Sequence, residues 1–162
     1  MKFTVDITRE DYSDFNKFHF MKTRLNRTIL TGLLTVIVLE YLLNRNEFDL
    51  TVTIISSLAC VLVYSWAIYR SLNKTKKIPD NDGTILGPKE MEFADDKISY
   101  SSKNSQGTCE WTSIKFLRES SKAFYLYMDT NMAMLVPKRT FTTDNELEDF
   151  RKIISRKVTQ TG

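Results

Sequence analysis
Two apolar runs, Ile29 to Leu43 and Leu50 to Tyr69, divide the chain, with a short polar break between them. The second, LTVTIISSLACVLVYSWAIY, carries no charge and ends at Arg70. A spanning helix needs about 20 mostly apolar residues to cross a ~30 Å hydrocarbon layer, and this run meets that length. The first, ILTGLLTVIVLEYLL, is shorter. At ~1.5 Å per residue it covers only about 22 Å. Thr28 and Asn44 extend it, and Arg27 and Arg45 can snorkel to the headgroups. The pattern predicts a two-helix transmembrane hairpin over residues 28–70. A re-entrant hairpin and the buried helical hairpin of a soluble protein are the alternatives.

Outside the hairpin the periodicity changes. Phe3, Val5 and Ile7 alternate with Lys2, Thr4 and Asp6, a strand pattern. Thr8 can cap a following helix whose first turn holds Glu10 and Asp11, acids that suit the positive end of its dipole. Tyr12, Phe15, Phe18 and Met21 give that helix an apolar side. Residues 1–27 are thus read as a strand and an amphipathic helix, and the polar, Pro- and Gly-bearing stretch 71–88 as a linker. From Lys89 the period is two. Met91 and Phe93, then Ile98 and Tyr100, then Cys109 and Trp111 share faces, with turns at Asp95-Asp96 and at Asn104 to Gly107. The parity slips to Ile114 and Phe116, which predicts a bulge or corner at Thr112-Ser113. Phe124, Leu126 and Met128 form the next strand with Tyr125 and Tyr127 opposite, and Met132, Met134 and Val136 return from a turn at Asp129-Thr130-Asn131. Thr143 to Glu146 fits a capping box. It opens a helix whose apolar side holds Leu147, Phe150, Ile153 and Ile154. The expected class is an α+β membrane protein: the hairpin plus an antiparallel β-meander over 89–162, closed by a C-terminal amphipathic helix. The strand Lys2 to Ile7 is too short to stand alone and is expected to add to that sheet, making the hairpin an insertion into a split domain.

Charge orients the hairpin. Lys17, Lys22, Arg24 and Arg27 precede the first run, and Arg70, Lys74, Lys76 and Lys77 follow the second, whereas the connecting segment sets Arg45 against Glu47 and Asp49. Cytoplasmic flanks carry the Lys/Arg excess. Both termini are therefore expected in the cytoplasm, in a cell inner (plasma) membrane, with Tyr41, Phe48, Trp66 and Tyr69 near the two interfaces. The net charge of +3 is explained by these flanks and by anionic headgroups, so the lipid bilayer is an expected partner and nucleic acid is not. Glu40 is the one charge within either run. An acid at membrane depth is a functional hypothesis by default; near the outer end of the helix it reads as interfacial or as a hairpin lock, with Thr53 at matching depth. Thr28 with Gly32, and Ser56 with Cys60, are small-residue pairs that permit close helix approach. Cys60 and Cys109 fall in compartments that keep thiols apart and reduced.

The search for chemistry returns little. No Cys/His metal spacing, Gly-rich phosphate loop, GxSxG or HExxH is present. His19 stands alone and reads as an interfacial side chain, and the acid pairs Asp95-Asp96 and Glu148-Asp149 read as a turn and a helix face. Neither an enzyme nor a cofactor is expected. Lys138 and Arg139 after Pro137, with Lys115 and Arg118, form a candidate basic spot for headgroups or a protein partner; a solvated sheet end is the alternative.

Trp111 with Ile114, the strand Phe124-Tyr125-Leu126-Tyr127, and Val136-Pro137-Lys138-Arg139 followed by Phe141 and a Glu-rich closing helix resemble the YcxB-like family. Thr8-Arg9-Glu10-Asp11-Tyr12 also looks like that family's N-terminal pattern. The resemblance implies a bacterial two-helix membrane protein with a C-terminal domain of uncharacterised role, similar to PH-like modules, and no catalytic residues. Fewer strands are counted here than a full PH barrel has. Two functions follow: a non-catalytic interaction or regulatory module anchored in the membrane, binding a membrane or cytoplasmic protein or headgroups, or an accessory subunit of a membrane transporter or enzyme, contacting it through the hairpin.

Overall fold
Alternating side chains build the first strand, β1 (Lys2–Ile7), and burial follows the alternation: Val5 is 0% and Ile7 5% exposed, while Lys2, Thr4 and Asp6 face water. The structure, a computed structural model, describes residues 1–43, 49–77, 79–80 and 83–161. The expected connecting segment with Arg45, Glu47 and Phe48, and the Asn81-Asp82 part of the linker, lie outside them. The chain forms two compact units, Met1–Phe15 with Ile78–Gly162, and Asn16–Lys77.

In the first unit β1 pairs antiparallel with β2 (Gly87–Phe93), from Lys2 opposite Glu92 to Ile7 opposite Gly87. The N-terminal ammonium extends the pairing by donating to the Phe93 carbonyl at 2.8 Å. β3 (Lys97–Ser101) and β4 (Gln106–Glu110) follow, giving a four-stranded antiparallel sheet in the order β1-β2-β3-β4. At Gly107 a Cβ would lie 2.7 Å from the Tyr100 hydroxyl, so a larger residue there would displace the tip of that ring. The N-terminal strand thus completes the sheet, as its exposed alternative would have left three apolar side chains in water.

The parity slip at Thr112-Ser113 is a corner. A single 3₁₀ turn over Trp111–Ser113 carries the chain from the first sheet into a second, made of β5 (Phe116–Glu119), β6 (Ala123–Tyr127) and β7 (Ala133–Pro137) in that order. The meander is therefore divided between two sheets. The slip that read as a bulge or corner separates β4 from β5, so the described residues form four strands in one sheet and three in the other. Trp111 is buried at the corner, and its indole N–H donates to the Ala94 carbonyl at 3.0 Å, which ties the corner to the β2–β3 turn.

Helices cover both faces of the second sheet. α4 (Asp144–Thr161) starts at Thr143, whose hydroxyl accepts from the Glu146 N–H at 3.2 Å, while Glu146 accepts from the Thr142 N–H. Its Phe150 is fully buried and touches the rings of Phe3, Phe93, Phe124 and Phe141 at 4.9–5.4 Å between centroids. One side chain thus links both sheets and the closing helix. On the opposite face, Phe15 of α1 (Arg9–His19) packs on Tyr125 and Tyr127. Every residue of β6 is buried, so the tyrosines are core residues as well.

In the second unit the helix that begins as α1 continues through a π-helical stretch, Phe20–Arg24, into α2 (Leu25–Leu43). The first apolar run is therefore part of a longer helix and need not cross on its own length. α3 (Leu50–Thr75) is capped by Asp49, whose carboxylate accepts from the Thr51 and Val52 N–H groups. The less exposed positions recur at three- and four-residue spacing: Leu25, Thr28, Gly32, Thr35 and Leu39 on α2, and Thr53, Ser57, Cys60, Tyr64 and Ile68 on α3. Thr35 and Tyr64 hydroxyls meet at 2.9 Å. Glu40 accepts from Ser56, one turn deeper than the expected Thr53, whose hydroxyl instead donates to the Asp49 carbonyl at 3.0 Å.

Replacing Phe150 by Ala should remove about 3–5 kcal/mol, a large share of the ~5–15 kcal/mol that holds a small domain. Val5→Asp should act similarly by placing a charge in the core. Limited proteolysis of the full chain at sites near Trp111 and Phe124 should accelerate strongly in both. Unchanged protease resistance after deleting residues 1–7 would show that β1 does not support this core.

Candidate functional site
Three of the four residues of the expected basic spot each face a different acid, and the fourth, Arg118, lies over an aromatic ring. Arg139, just beyond β7, makes a two-pronged contact with Asp11 of α1 at 2.5 Å and donates to the Asp6 carbonyl at 2.7 Å. Lys138 turns the other way, to Glu119 at 2.6 Å, with its ammonium 5.3 Å from the Phe124 ring centre. Arg151 of α4 joins the same carboxylate at 2.7 Å. Lys115 pairs with Asp129 at 3.1 Å in a largely exposed contact. Arg118 lies over the Phe116 ring at 5.5 Å, with its Nε buried. Arg139 thus ties the end of β7 to α1, and Lys138 and Arg151 tie the end of β7 and α4 to β5 through Glu119, so these cations serve as internal ties.

These ties set the local electrostatics. Burial alone would raise the Asp11 carboxyl, but hydrogen bonds from Arg139 and Thr8, and the Arg139 charge, hold it below the usual carboxylate range. Thr8 caps α1, its hydroxyl oxygen accepting from the Asp11 N–H at 3.3 Å, and its own N–H and hydroxyl donate to the Asp11 carboxylate at 2.7 and 2.8 Å. Hydrogen bonding from Arg151 keeps Glu119 low, with burial opposing and Lys138 adding to it. Cys109 is a free thiol whose pKa burial pushes up, the reverse of what a reactive cysteine needs. His19, expected at an interface, is buried with its ring 3.2 Å from the Thr23 hydroxyl. Among the described residues no three His, Cys, Asp or Glu side chains stand close enough together to hold a metal ion.

The structure also forms a cleft that sequence reasoning missed. It holds about 270 Å³ between Ile7, Met91 and Tyr100 of the first sheet and Met134 and Leu135 of the second, with Met128 and Met132 at the β6–β7 turn. Four of the chain's six methionines line it. Methionine is unbranched and polarisable, which suits a surface that adapts to apolar groups of varied shape. Lys89 stands at its mouth and donates to the Thr84 carbonyl at 2.7 Å, and burial pushes its pKa below that of an ordinary lysine. The density of Met between residues 91 and 134 was the available signal, but it read as ordinary strand filling. The cleft offers apolar contact and one cation, with no nucleophile–base pair.

In the hairpin unit the expected flanking cations are exposed: Lys22 and Arg24 in the π-helical stretch, Arg27 in α2, Arg70 and Lys74 in α3, and Lys77 just beyond it, with Lys76 partly covered. Arg70 lies over the Trp66 ring at 5.1 Å. Two helices, Arg9–Leu42 and Leu50–Thr75, are long and apolar enough to cross a membrane, and none of their apolar windows is buried inside the structure.

Fold and site together define an α+β protein that carries two exposed apolar helices between the first and second strands of its sheet unit. Residues 93–154 match the model of the YcxB-like protein family, so the resemblance carried by Trp111, Phe124 to Tyr127 and Val136 to Phe141 holds over that stretch. The match and the two apolar helices fit a membrane protein. No curated protein and no solved structure matches the chain.

Acid should weaken the Asp11–Arg139 tie. Asp11 has a depressed pKa in the folded chain, so its contribution is complete above the unfolded value of ~3.9 and is lost as pH falls through the folded value. Asp11→Asn should cost about 1–2 kcal/mol at neutral pH, allowing for the half-exposed Arg139. It should also flatten part of the acid limb as pH falls through and below the unfolded carboxylate value. Urea midpoints of the two proteins measured against pH will test this; parallel acid limbs would assign the depression elsewhere.

Proposed function
We propose that this chain is an integral plasma-membrane protein with both termini in the cytoplasm, and that its sheet unit is a non-catalytic, PH-like interaction module. The pairing of β1 with β2 carries the reading. β1 precedes the first apolar helix and β2 follows the second. Two hydrogen-bonded strands must lie on one side of a bilayer, so the chain between them crosses an even number of times. The Lys/Arg excess at Lys22, Arg24, Arg27, Arg70, Lys74, Lys76 and Lys77 selects the cytoplasmic side. The PH-like reading is supported by the four-plus-three division of the strands and by the closing helix α4.

The hairpin is built inside out relative to a soluble one. Its seam holds Thr28, Gly32, Thr35 and Cys60, while Leu62 is 70% and Ile37 62% exposed. Soluble monomers rarely expose apolar patches beyond a few hundred Å², and small or polar residues at helix contacts are what membranes favour. In the sheet unit, the Met-lined cleft is the surface we assign to a protein partner's apolar side chain, with Lys89 available for a neighbouring acid.

The accessory-subunit reading has one observation in its favour. An apolar groove of about 240 Å³ lies along α2 and α3, lined by residues that include Gly32, Leu33, Val61 and Tyr64, room for a side chain of a helix from another membrane protein. Exchanging the hairpin for an unrelated one separates the two: a module keeps its cytoplasmic partner, whereas an accessory subunit loses its complex.

Carbonate washing at high pH should leave the full chain in the membrane pellet, and release would remove the bilayer from the proposal. In a Cys60→Ser, Cys109→Ser background, Asn46→Cys should react with an impermeant thiol reagent on intact cells and Gln160→Cys should not. The opposite labelling would reverse the orientation.

A further inference from the structure
α3 is longer than a bilayer requires. Its 26 residues extend about 39 Å at 1.5 Å each, against a hydrocarbon core of ~30 Å. With Leu50 at one interface, the last turns stand at headgroup level on the other. Those turns gather Trp66, Tyr69, Arg70, Asn73, Lys74 and Lys77 around one shallow cavity of about 300 Å³. The spacing of three, four and seven residues places Trp66, Tyr69, Arg70, Asn73 and Lys74 on one face of α3, and Lys77, just beyond the helix, lines the same cavity. Arg70 folds back over Trp66 at 5.1 Å, the direction in which helical side chains lean, which leaves its guanidinium at the boundary between ring and water. No Asp or Glu occurs between Leu50 and Lys77, so the chain supplies no acid of its own along this helix.

We propose that this face of α3 is a binding site for the headgroup of an anionic phospholipid. The proposal rests on the membrane reading above and adds a ligand to it. The phosphate sits among Arg70, Lys74 and Lys77, Asn73 supplies an uncharged donor, and Trp66 and Tyr69 flank the upper acyl chain. Positive-inside bias alone needs only charge, wherever it lies on the helix. This cluster adds aromatic rings, a stacked arginine and a cavity on a single face. Lys22, Arg24 and Arg27 at the other flank carry comparable charge and provide the comparison.

The test uses the full chain reconstituted in nanodiscs of phosphatidylcholine with a minor fraction of phosphatidylglycerol, followed by native mass spectrometry of retained lipid. Wild type should keep one phosphatidylglycerol. The triple variant Arg70→Gln, Lys74→Gln, Lys77→Gln should lose retention by at least about tenfold, since each cation near an anionic surface contributes about a factor of five. The charge-matched variant Lys22→Gln, Arg24→Gln, Arg27→Gln should keep it, and added glycerol phosphate should not displace it. Equal losses in both variants would mean diffuse attraction and would overturn the site, as would wild type without retained lipid or displacement by free glycerol phosphate. A chain that stays out of the discs overturns the membrane reading itself, and the lipid site with it.

Discussion
The antiparallel pairing of β1 with β2 is the contact on which the rest depends. It joins Lys2–Ile7 to Gly87–Phe93 across the whole hairpin. β1 is too short to persist alone in water, and β2 without it, though still paired with β3, presents an open edge. The pairing also buries Val5 and Ile7 and sets Phe3 against Phe93 at 5.3 Å. That ring pair then meets Phe150, so the N-terminal strand is bound to the last helix through one aromatic cluster. Closing a loop of this length is not prohibitive, since the entropic cost grows only with the logarithm of loop length. An insert that folds back on itself shortens the effective loop further.

The hairpin solves a different problem with a different set of side chains. In water two helices associate by hiding leucines. Here most of the leucines point outward, and the seam mixes Thr28, Gly32, Thr35, Thr53, Ser57 and Cys60 with Leu25, Leu39, Tyr64 and Ile68. What remains to hold the helices is close packing of Gly32 beneath the Tyr64 ring, the Thr35–Tyr64 hydroxyl contact and the Ser56–Glu40 hydrogen bond. In hydrocarbon such bonds contribute modestly, on the order of 0.6 kcal/mol each, but they fix the register of one helix against the other. Glu40 is thereby given a partner, which an acid at that depth needs.

Much of the architecture was legible in the sequence because it rests on local rules. Period-two alternation marked β1, β2 and β6, Thr8 and Thr143 marked helix starts, and the uncharged run marked α3. What was not legible depends on what covers a surface. Tyr125 and Tyr127 alternate with Phe124 and Leu126 as an outer face would, and only the packing of Phe15 on the far side makes them core. The basic spot failed to gather for a related reason. Lys138 and Arg139 are neighbours in sequence, but successive residues point in different directions, and their acids, Glu119 and Asp11, come from β5 and α1. The Met-lined cleft exists only where two sheets meet, so no single strand announces it. Glu40 was matched to Thr53 by an assumed turn length, and an error of one turn moves the partner to Ser56.

Charge is divided unevenly between the two units, and the division bears on what each one binds. The hairpin unit carries nine Lys and Arg against three Asp and Glu, while the sheet unit carries more Asp and Glu than Lys and Arg. Of the sheet unit's cations, Lys2, Lys115, Lys122, Lys138, Arg139, Arg151, Lys152 and Lys157 each face an acid at salt-bridge distance. An acidic surface is repelled by an anionic leaflet within a Debye length of about 8 Å. Headgroup recognition by the sheet unit would therefore work against its own field. An apolar, methionine-lined cleft works with it, because apolar burial is indifferent to the sign of the surrounding charge and a basic partner would be drawn in by the acidic surface. On this argument the proposed lipid contact fits the charge of the hairpin and its flanks, and the proposed protein contact fits the apolar cleft of the sheet unit.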